Sequence, residues 1–452
     1  MTILDQNPDH FPKNGLHLIK FYFHLIAFTC SLAYLLLFSK QDEFLTIAIP
    51  FTIAFISYFI LQSYINNKNR LLIILIIGIG LRILSLFTLP TLSDDFYRYY
   101  WDGNLMLQGT NPFQYTPEEF LTLQSSLDSS MIIATEQMNS FQYHTVYPTV
   151  CQMFFAISAY LSQDNIVGFS IILKVLLLIS ETFLLWKISK NTIFKTKLIP
   201  IFTLYYINPL ILVETFGNLH FEILMGLTFI MAVFYIMEQK YFLSWIAFAT
   251  SILVKVYTVI LLPFLLNFSK GKSNKSMWVF ILLLSTMLIF IGPTLGNIQG
   301  YNLYLKQFEF NSFLFILLSK LLIKLRIPEL WNYRGLILLS LWVIFMVIYL
   351  LRKKEKELDL IQIMLSAFIL YGVFLLCHAT IHPWYIITFI IFGFFSYPLT
   401  SVLSGFLITL SYIHYDELYN SKFELIRWIE YATIIIFFYI EKRTPSLTNR
   451  GS

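Results

Sequence analysis

The segment Leu89-Pro90-Thr91-Leu92-Ser93-Asp94-Asp95-Phe96-Tyr97-Arg98-Tyr99-Tyr100-Trp101-Asp102-Gly103 gathers carboxylates, a guanidinium and aromatic rings at the end of an apolar run. Ser93 is placed to cap a short helix that starts here. On that helix Asp95, Arg98, Tyr99 and Asp102 share one face by three- and four-residue spacing. A carboxylate so placed can accept the proton of an attacking hydroxyl. A cation or hydrogen-bond donor nearby can stabilise the charge of a departing phosphate. Because the apolar run stops at Pro90, the acids fall at a membrane–water boundary, within reach of a lipid headgroup. Tyr97, Tyr100 and Trp101 suit an interfacial belt. Neighbours on a helix point about 100° apart, so one of Asp94 and Asp95 should dominate as base; the face shared with Arg98 favours Asp95. The plainer role is a solvated cap that fixes topology. Paired acids also bind divalent ions, but no second acidic cluster nearby completes a ligand set, so no metal or other cofactor is assigned.

Other side chains can complete such a site. Lys255 stands amid the apolar stretch 241–268, and a lysine inside a span usually faces a cavity or a partner. If 241–253 and 256–268 form a hairpin, Lys255 lies at its outer turn, on the side of Asp95, and together with Arg98 can hold a phosphate; a snorkelling lysine is the plainer role. His220 and Glu222 follow Gly217-Asn218 at an outer helix junction, just after Glu214, a mixture of donors and acceptors that carbohydrate hydroxyls want. His378 and His382 flank a second outer junction, where Trp384 and Tyr385 can stack on a sugar face. His144 and Tyr147 close the acidic segment. With Asp102 and Tyr99, the residues His144, Tyr147, His220, Glu222, His382, Trp384 and Tyr385 are the candidate sugar or acceptor contacts. Lys174 and Glu181, two turns apart, read as a structural pairing.

The elements that position these residues are membrane helices. Of 452 residues, 57% are hydrophobic and 13% charged, with mean hydropathy +0.70; soluble domains carry roughly 25% charge. That excludes a soluble enzyme. A net charge of +5 gives no nucleic-acid footprint. Cys30, Cys151 and Cys377 lie in apolar runs without a C-x-x-C partner, so they read as packing residues rather than a disulfide framework or zinc site. The first apolar run, 18–38, is too long for a cleavable signal and reads as a permanent span.

Roughly 20 apolar residues cross a bilayer as a helix. Candidate spans are 18–38, 44–64, 71–90, 166–189, 198–216, 219–237, 277–296, 333–351, 359–379 and 424–440, while 241–268 and 384–412 each read as a helix pair. Two shorter pieces, 148–162 and 309–323, are ambiguous. Basic loops face the cytoplasm: Lys68 and Arg70; Lys187, Lys190, Lys195 and Lys197; Lys270, Lys272 and Lys275; Arg352, Lys353, Lys354 and Lys356; and the tail with Lys442, Arg443 and Arg450. Residues 91–147 are long, acidic and nearly free of basic residues, so they face outward. The expectation is an all-α polytopic bundle of about 12–14 spans, a single transmembrane domain over 1–440 with short interfacial helices in its first outer loop and a cytoplasmic tail over 441–452.

The pattern S-D-D-x-Y-R-Y-x-W-D-G, followed by Gly109-Thr110-Asn111-Pro112-Phe113, resembles the integral-membrane GT-C glycosyltransferases, most nearly bacterial mannosyltransferases that use polyprenyl-phosphate mannose. Further landmarks, in order, are Tyr147-Pro148-Thr149, Asn208-Pro209-Leu210, Gly217-Asn218-Leu219-His220-Phe221-Glu222, Lys255-Val256-Tyr257, Phe310-Asn311-Ser312 and His382-Pro383-Trp384-Tyr385, covering about residues 70–400. Thr149 stands where the family often has a second proline, and Glu222 where Asp is more usual. Residues 1–65 add two spans that the resemblance leaves unexplained. The resemblance implies that Asp94 or Asp95 is the catalytic base. It also implies a polyprenyl-phosphate donor, a lipid, glycan or protein acceptor, and a cell-envelope setting in a bacterial cytoplasmic membrane with the site facing outward.

Negative features agree. There is no G-x-G-x-x-G after a strand and no Walker loop, and the inner loops are too short for a nucleotide-binding domain, whereas a lipid-linked donor can enter between helices. The rival reading is a transporter or lipid flippase. Such proteins often carry midplane ionisable residues on broken helices, while here the acids concentrate in one outer loop.

Overall fold

The computed structural model describes residues 15–123, 128–190, 198–268, 277–291, 308–352 and 359–443. The helices, in chain order, are α1 Gly15–Phe38, α2 Phe44–Leu61, α3 Lys68–Ser85, α4 Asp95–Leu107, α5 Pro117–Leu123, α6 Ser129–Gln137, α7 Thr149–Ser162, α8 Ile166–Ser189, α9 Leu198–Tyr206 and α10 Pro209–Ile211. They continue with α11 Glu222–Met237, α12 Tyr241–Val254, α13 Leu262–Phe268, α14 Met277–Ile291, α15 Leu314–Leu325, α16 Arg334–Arg352, α17 Leu360–Cys377, α18 Ile387–Gly393, α19 Pro398–Leu407 and α20 Phe423–Arg443. Among the described residues the only β pairing is the isolated bridge Phe310–Thr380. The all-α expectation holds.

Five described helices are long and apolar enough to cross a membrane alone: Gly15–Phe38, Phe44–Tyr64, Ile166–Ser189, Pro328–Arg352 and Leu360–Cys377. A sixth span is available if Ile199–Tyr206 and Pro209–Gly217, bent by 47°, count as one. The bend has a local cause: Asn208 caps the second piece by accepting from the Ile211 amide at 3.2 Å, and Pro209 cannot donate to the turn before it. Several other apolar runs are divided. The run 241–268 breaks at Lys255, whose backbone is extended, and resumes as a 3-10 turn Val256–Leu261 before α13. The run 384–412 becomes a 3-10 turn Pro383–Ile386, α18, α19 and a 3-10 stretch Ile408–Tyr415. The ambiguous pieces form α7 and α15, of 14 and 12 residues. At about 1.5 Å per residue neither covers a core roughly 30 Å thick. Lys195, Lys197, Lys270, Lys272, Lys275, Lys353, Lys354, Lys356 and Arg450 lie outside the described residues.

The chain forms two compact units: one from Met1–Leu92, Ser189–His220 and Ile390–Ser452, the other from Ser93–Ile188 and Phe221–Phe389. In the first unit α1 packs on α2 and α3. Its buried polar groups serve packing: Tyr58 donates to the Leu204 carbonyl at 2.7 Å, and Arg82 to the Tyr206 carbonyl at 2.9 Å.

In the second unit α11 pairs with α12, and α4 lies against α7 and α6. Gly103 permits the α4–α7 approach, because a Cβ there would stand 2.6 Å from the Phe155 carbonyl oxygen. The connection after α4 is sealed by Trp101, fully buried edge-on to Phe120 at 5.8 Å. Thr116 and Glu119 form a reciprocal capping box at the start of α5, at 2.9 and 3.1 Å.

Candidate active site

Ser93 accepts from the Asp95 amide at 3.3 Å, so α4 starts where the serine predicted it. The predicted single face of α4 divides into two pairs with different surroundings. Arg98 Nε donates to Asp102 Oδ1 at 2.7 Å, and both side chains are buried. Arg98 Nη1 donates to the carbonyls of Tyr143 at 2.6 Å and Ser140 at 3.3 Å. Asp102 Oδ2 accepts from Thr145 Oγ1 at 2.5 Å and Gln152 Nε2 at 2.8 Å. This pair ties α4 to the end of the loop and to the first turn of α7.

Asp95 and Tyr99 form the other pair. Both side chains hydrogen-bond the Tyr147 side chain. Tyr99 is stacked on Phe155 at 4.6 Å and edge-on to Tyr147 at 4.7 Å, so it fixes the phenol that meets Asp95. Tyr147 immediately precedes Pro148, the residue that caps α7. Burial, then the neighbouring charge of Asp94, push the Asp95 carboxyl up to about 7. The Tyr147 hydrogen bond and the Lys255 charge pull it back, while Glu222 adds to the rise. Asp94 has another fate: its carboxylate accepts from the Asn139 amide at 2.6 Å and from Asn139 Nδ2 at 3.0 Å. Burial raises its pKa as well, opposed by the Asn139 hydrogen bond.

Lys255 ion-pairs with Glu222, the first residue of α11. Its ammonium lies over the Tyr385 ring at 4.4 Å and the Tyr257 ring at 5.5 Å. His378 and Tyr257 are edge-on at 5.3 Å, and Tyr385 stands 5.5 Å from Tyr257. His382 is sandwiched between Phe310 at 4.4 Å and Trp384 at 4.5 Å. The bridge explains this: Phe310 donates to Ala379 and accepts from Ile381, at 3.1 and 2.8 Å, which joins two predicted landmarks. The second unit therefore contains Asp94, Asp95, Tyr99, Tyr147, Glu222, Lys255, His382, Trp384 and Tyr385.

One predicted residue lies outside the second unit. His220 belongs to the first unit, where its Nε2 stands 3.7 Å from Glu214, and Glu214 accepts from the Tyr412 hydroxyl at 2.7 Å. His144 is part-buried; burial holds its imidazole below the usual range, with Glu119 acting in the opposite sense. Tyr257, His378, Thr145 and Gln152 complete the surroundings; His378 had been singled out beside the second outer junction, and the other three were not predicted as site residues. The adjacency of Tyr257 to a lone apolar-run lysine was the available signal for the first. Thr145 and Gln152 had none, because neutral polar residues are common in helix ends. Among the described residues no group of three or more His, Cys, Asp and Glu could hold a metal ion.

Residues 51–269, just under half of the chain, match the family model described as alpha-(1->6)-mannopyranosyltransferase, N-terminal domain. The matched stretch contains the acidic loop, Tyr147, Glu222 and Lys255. No curated protein and no solved structure matches the chain.

Proposed function

We propose that the chain is a polyprenyl-phosphate-mannose-dependent membrane mannosyltransferase, similar over residues 51–269 to the alpha-(1->6)-mannopyranosyltransferase family, with Asp95 its general base and Lys255 its donor-phosphate ligand. The observation that carries this is the division of the two acids: Asp94 is committed to Asn139, while Asp95 is the carboxyl that senses Lys255. In the proposed step an acceptor hydroxyl of a glycan attacks the anomeric carbon of mannose. The bond from that carbon to the phosphate oxygen breaks, the hydroxyl proton passes to Asp95, and polyprenyl phosphate leaves with its charge facing Lys255. Tyr147 orients the Asp95 carboxyl. Arg98 and Asp102, spent on each other, hold α4 and the loop in register. Trp384 and Tyr385 offer ring faces for the sugar, and the site opens on the outer face of a cytoplasmic membrane.

With Asp95 as the one carboxylate assigned to the reacting carbon, the proposed arrangement suits direct displacement. A double displacement would need a second carboxylate as nucleophile, and Glu222 is held by Lys255. Purified protein in a bilayer, given polyprenyl-phosphate mannose and a mannose-terminated acceptor glycan, should form one new glycosidic bond per polyprenyl phosphate released. Transfer from nucleotide-linked mannose, with none from the lipid-linked donor, would overturn the reading.

A further inference from the structure

We propose that Glu222 is a positioning residue for donor binding: it holds the Lys255 ammonium between the rings of Tyr257 and Tyr385, where the carrier phosphate is received. This rests on the reading of Lys255 as the phosphate ligand. Lys255 sits at the break between α12 and the following 3-10 turn, with φ −156° and ψ 129°. Its own helix therefore does not aim the side chain, and an anchor from elsewhere must. Glu222 supplies it from the first turn of α11, where helix N-terminal amides favour a carboxylate. The start of α11 is itself held, since Thr388 Oγ1 donates to the Glu222 carbonyl at 3.0 Å.

The two partners are unequally covered. The Glu222 side chain is 1% exposed and that of Lys255 is 19% exposed. The acid is sealed in, and the lysine keeps an open side. An ammonium has three N–H donors. Glu222 takes one, and the faces of Tyr385 and Tyr257 add cation–π attraction, which leaves capacity for an anion arriving at the open side. Asp95, His378 and Cys151 also lie within the electrostatic reach of Lys255. A carboxylate sealed and paired in this way is not presented to sugar hydroxyls, the role the sequence suggested for Glu222.

The test is a double-mutant cycle on the full-length protein in a bilayer, with polyprenyl-phosphate mannose as the varied substrate. Lys255→Met should raise donor KM by about 10- to 100-fold, the loss of one charge-assisted contact. Glu222→Gln should raise it by about tenfold, with a smaller change in kcat, and Glu222→Asp should recover part of that. In the Lys255→Met background, Glu222→Gln should change donor KM no further. Removing one partner strands a buried charge, whereas the double variant removes both, so the double variant gives the KM in a protein without that imbalance. If the two effects multiply instead, Glu222 acts apart from Lys255 and the proposal falls. If Glu222→Gln leaves donor KM unchanged while Lys255→Met raises it, the proposal falls and the phosphate reading stands. If Lys255→Met leaves donor KM unchanged, the phosphate reading falls and takes the proposal with it.

Discussion

Asp94 and Asp95 are adjacent in the chain but serve different partners: Asp94 is bound at both oxygens by Asn139, and Asp95 by the phenol of Tyr147. One carboxylate closes the loop, and the other is left beside the lysine that can meet a phosphate. The difference comes from the start of α4. Asp94 immediately precedes the helix and its side chain turns to Asn139, while Asp95 is the first helical residue and its side chain meets Tyr147, just ahead of α7.

A base must be ionised to work, so the Asp95 carboxyl at about 7 sets a pH dependence. Below that value turnover should fall about tenfold per pH unit. Stability should move the other way. A carboxyl raised in the folded state contributes fully below its ordinary value of 3.8, and that contribution is lost as pH rises through about 7. Rate and unfolding temperature measured from pH 5 to 9 should therefore trend in opposite directions, and Asp95→Asn should flatten both components. A rate that rises on acidification would exclude a carboxylate base here.

The Arg98–Asp102 pair predicts a stability phenotype. Asp102→Asn leaves a buried guanidinium without its counter-ion, which costs about 3–5 kcal/mol when both partners are sealed. The variant should unfold at a markedly lower temperature in detergent, and the folded fraction should keep a near wild-type donor KM. A raised donor KM at unchanged stability would instead return Arg98 to the phosphate.

Much of the fold was legible from the sequence, since long uncharged apolar runs leave the backbone little alternative to a helix. The run 166–189 matches α8 end for end, and the runs 333–351 and 359–379 lie within two residues of α16 and α17. Breaks in the apolar runs were legible only in part: the break of 241–268 at Lys255 was read from the lone charge, whereas the 47° bend between Tyr206 and Pro209, inside a run read as one span over 198–216, was not. The acidic loop was found from composition, but helical spacing alone assigned Asp95 and Asp102 to one face. Tertiary partners separated them: Tyr147 took Asp95, and Thr145 with Gln152 took Asp102. Spacing shows which residues can share a face and carries no information about what faces them.

The charge asymmetry of the loops predicts sidedness. With the native Cys30, Cys151 and Cys377 replaced, a single cysteine at exposed Gln142 should react with an impermeant thiol reagent in intact cells. A cysteine at exposed Lys68 should react only after the membrane is opened. The reverse pattern would place the acidic loop in the cytoplasm.

The most direct measurement compares Asp95→Asn with Asp94→Asn, at matched amounts of folded protein in the membrane, by the turnover of polyprenyl-phosphate mannose. Asn keeps the size of Asp and a hydrogen-bonding group for Tyr147 but removes the basic oxygen. Asp95→Asn should lose about 10²–10⁴ in kcat, the usual cost of a missing general base, with little change in donor KM. Asp94→Asn keeps an acceptor for Asn139 and should retain turnover within about tenfold of wild type. An inactive Asp94→Asn beside an active Asp95→Asn would contradict the assignment of the base.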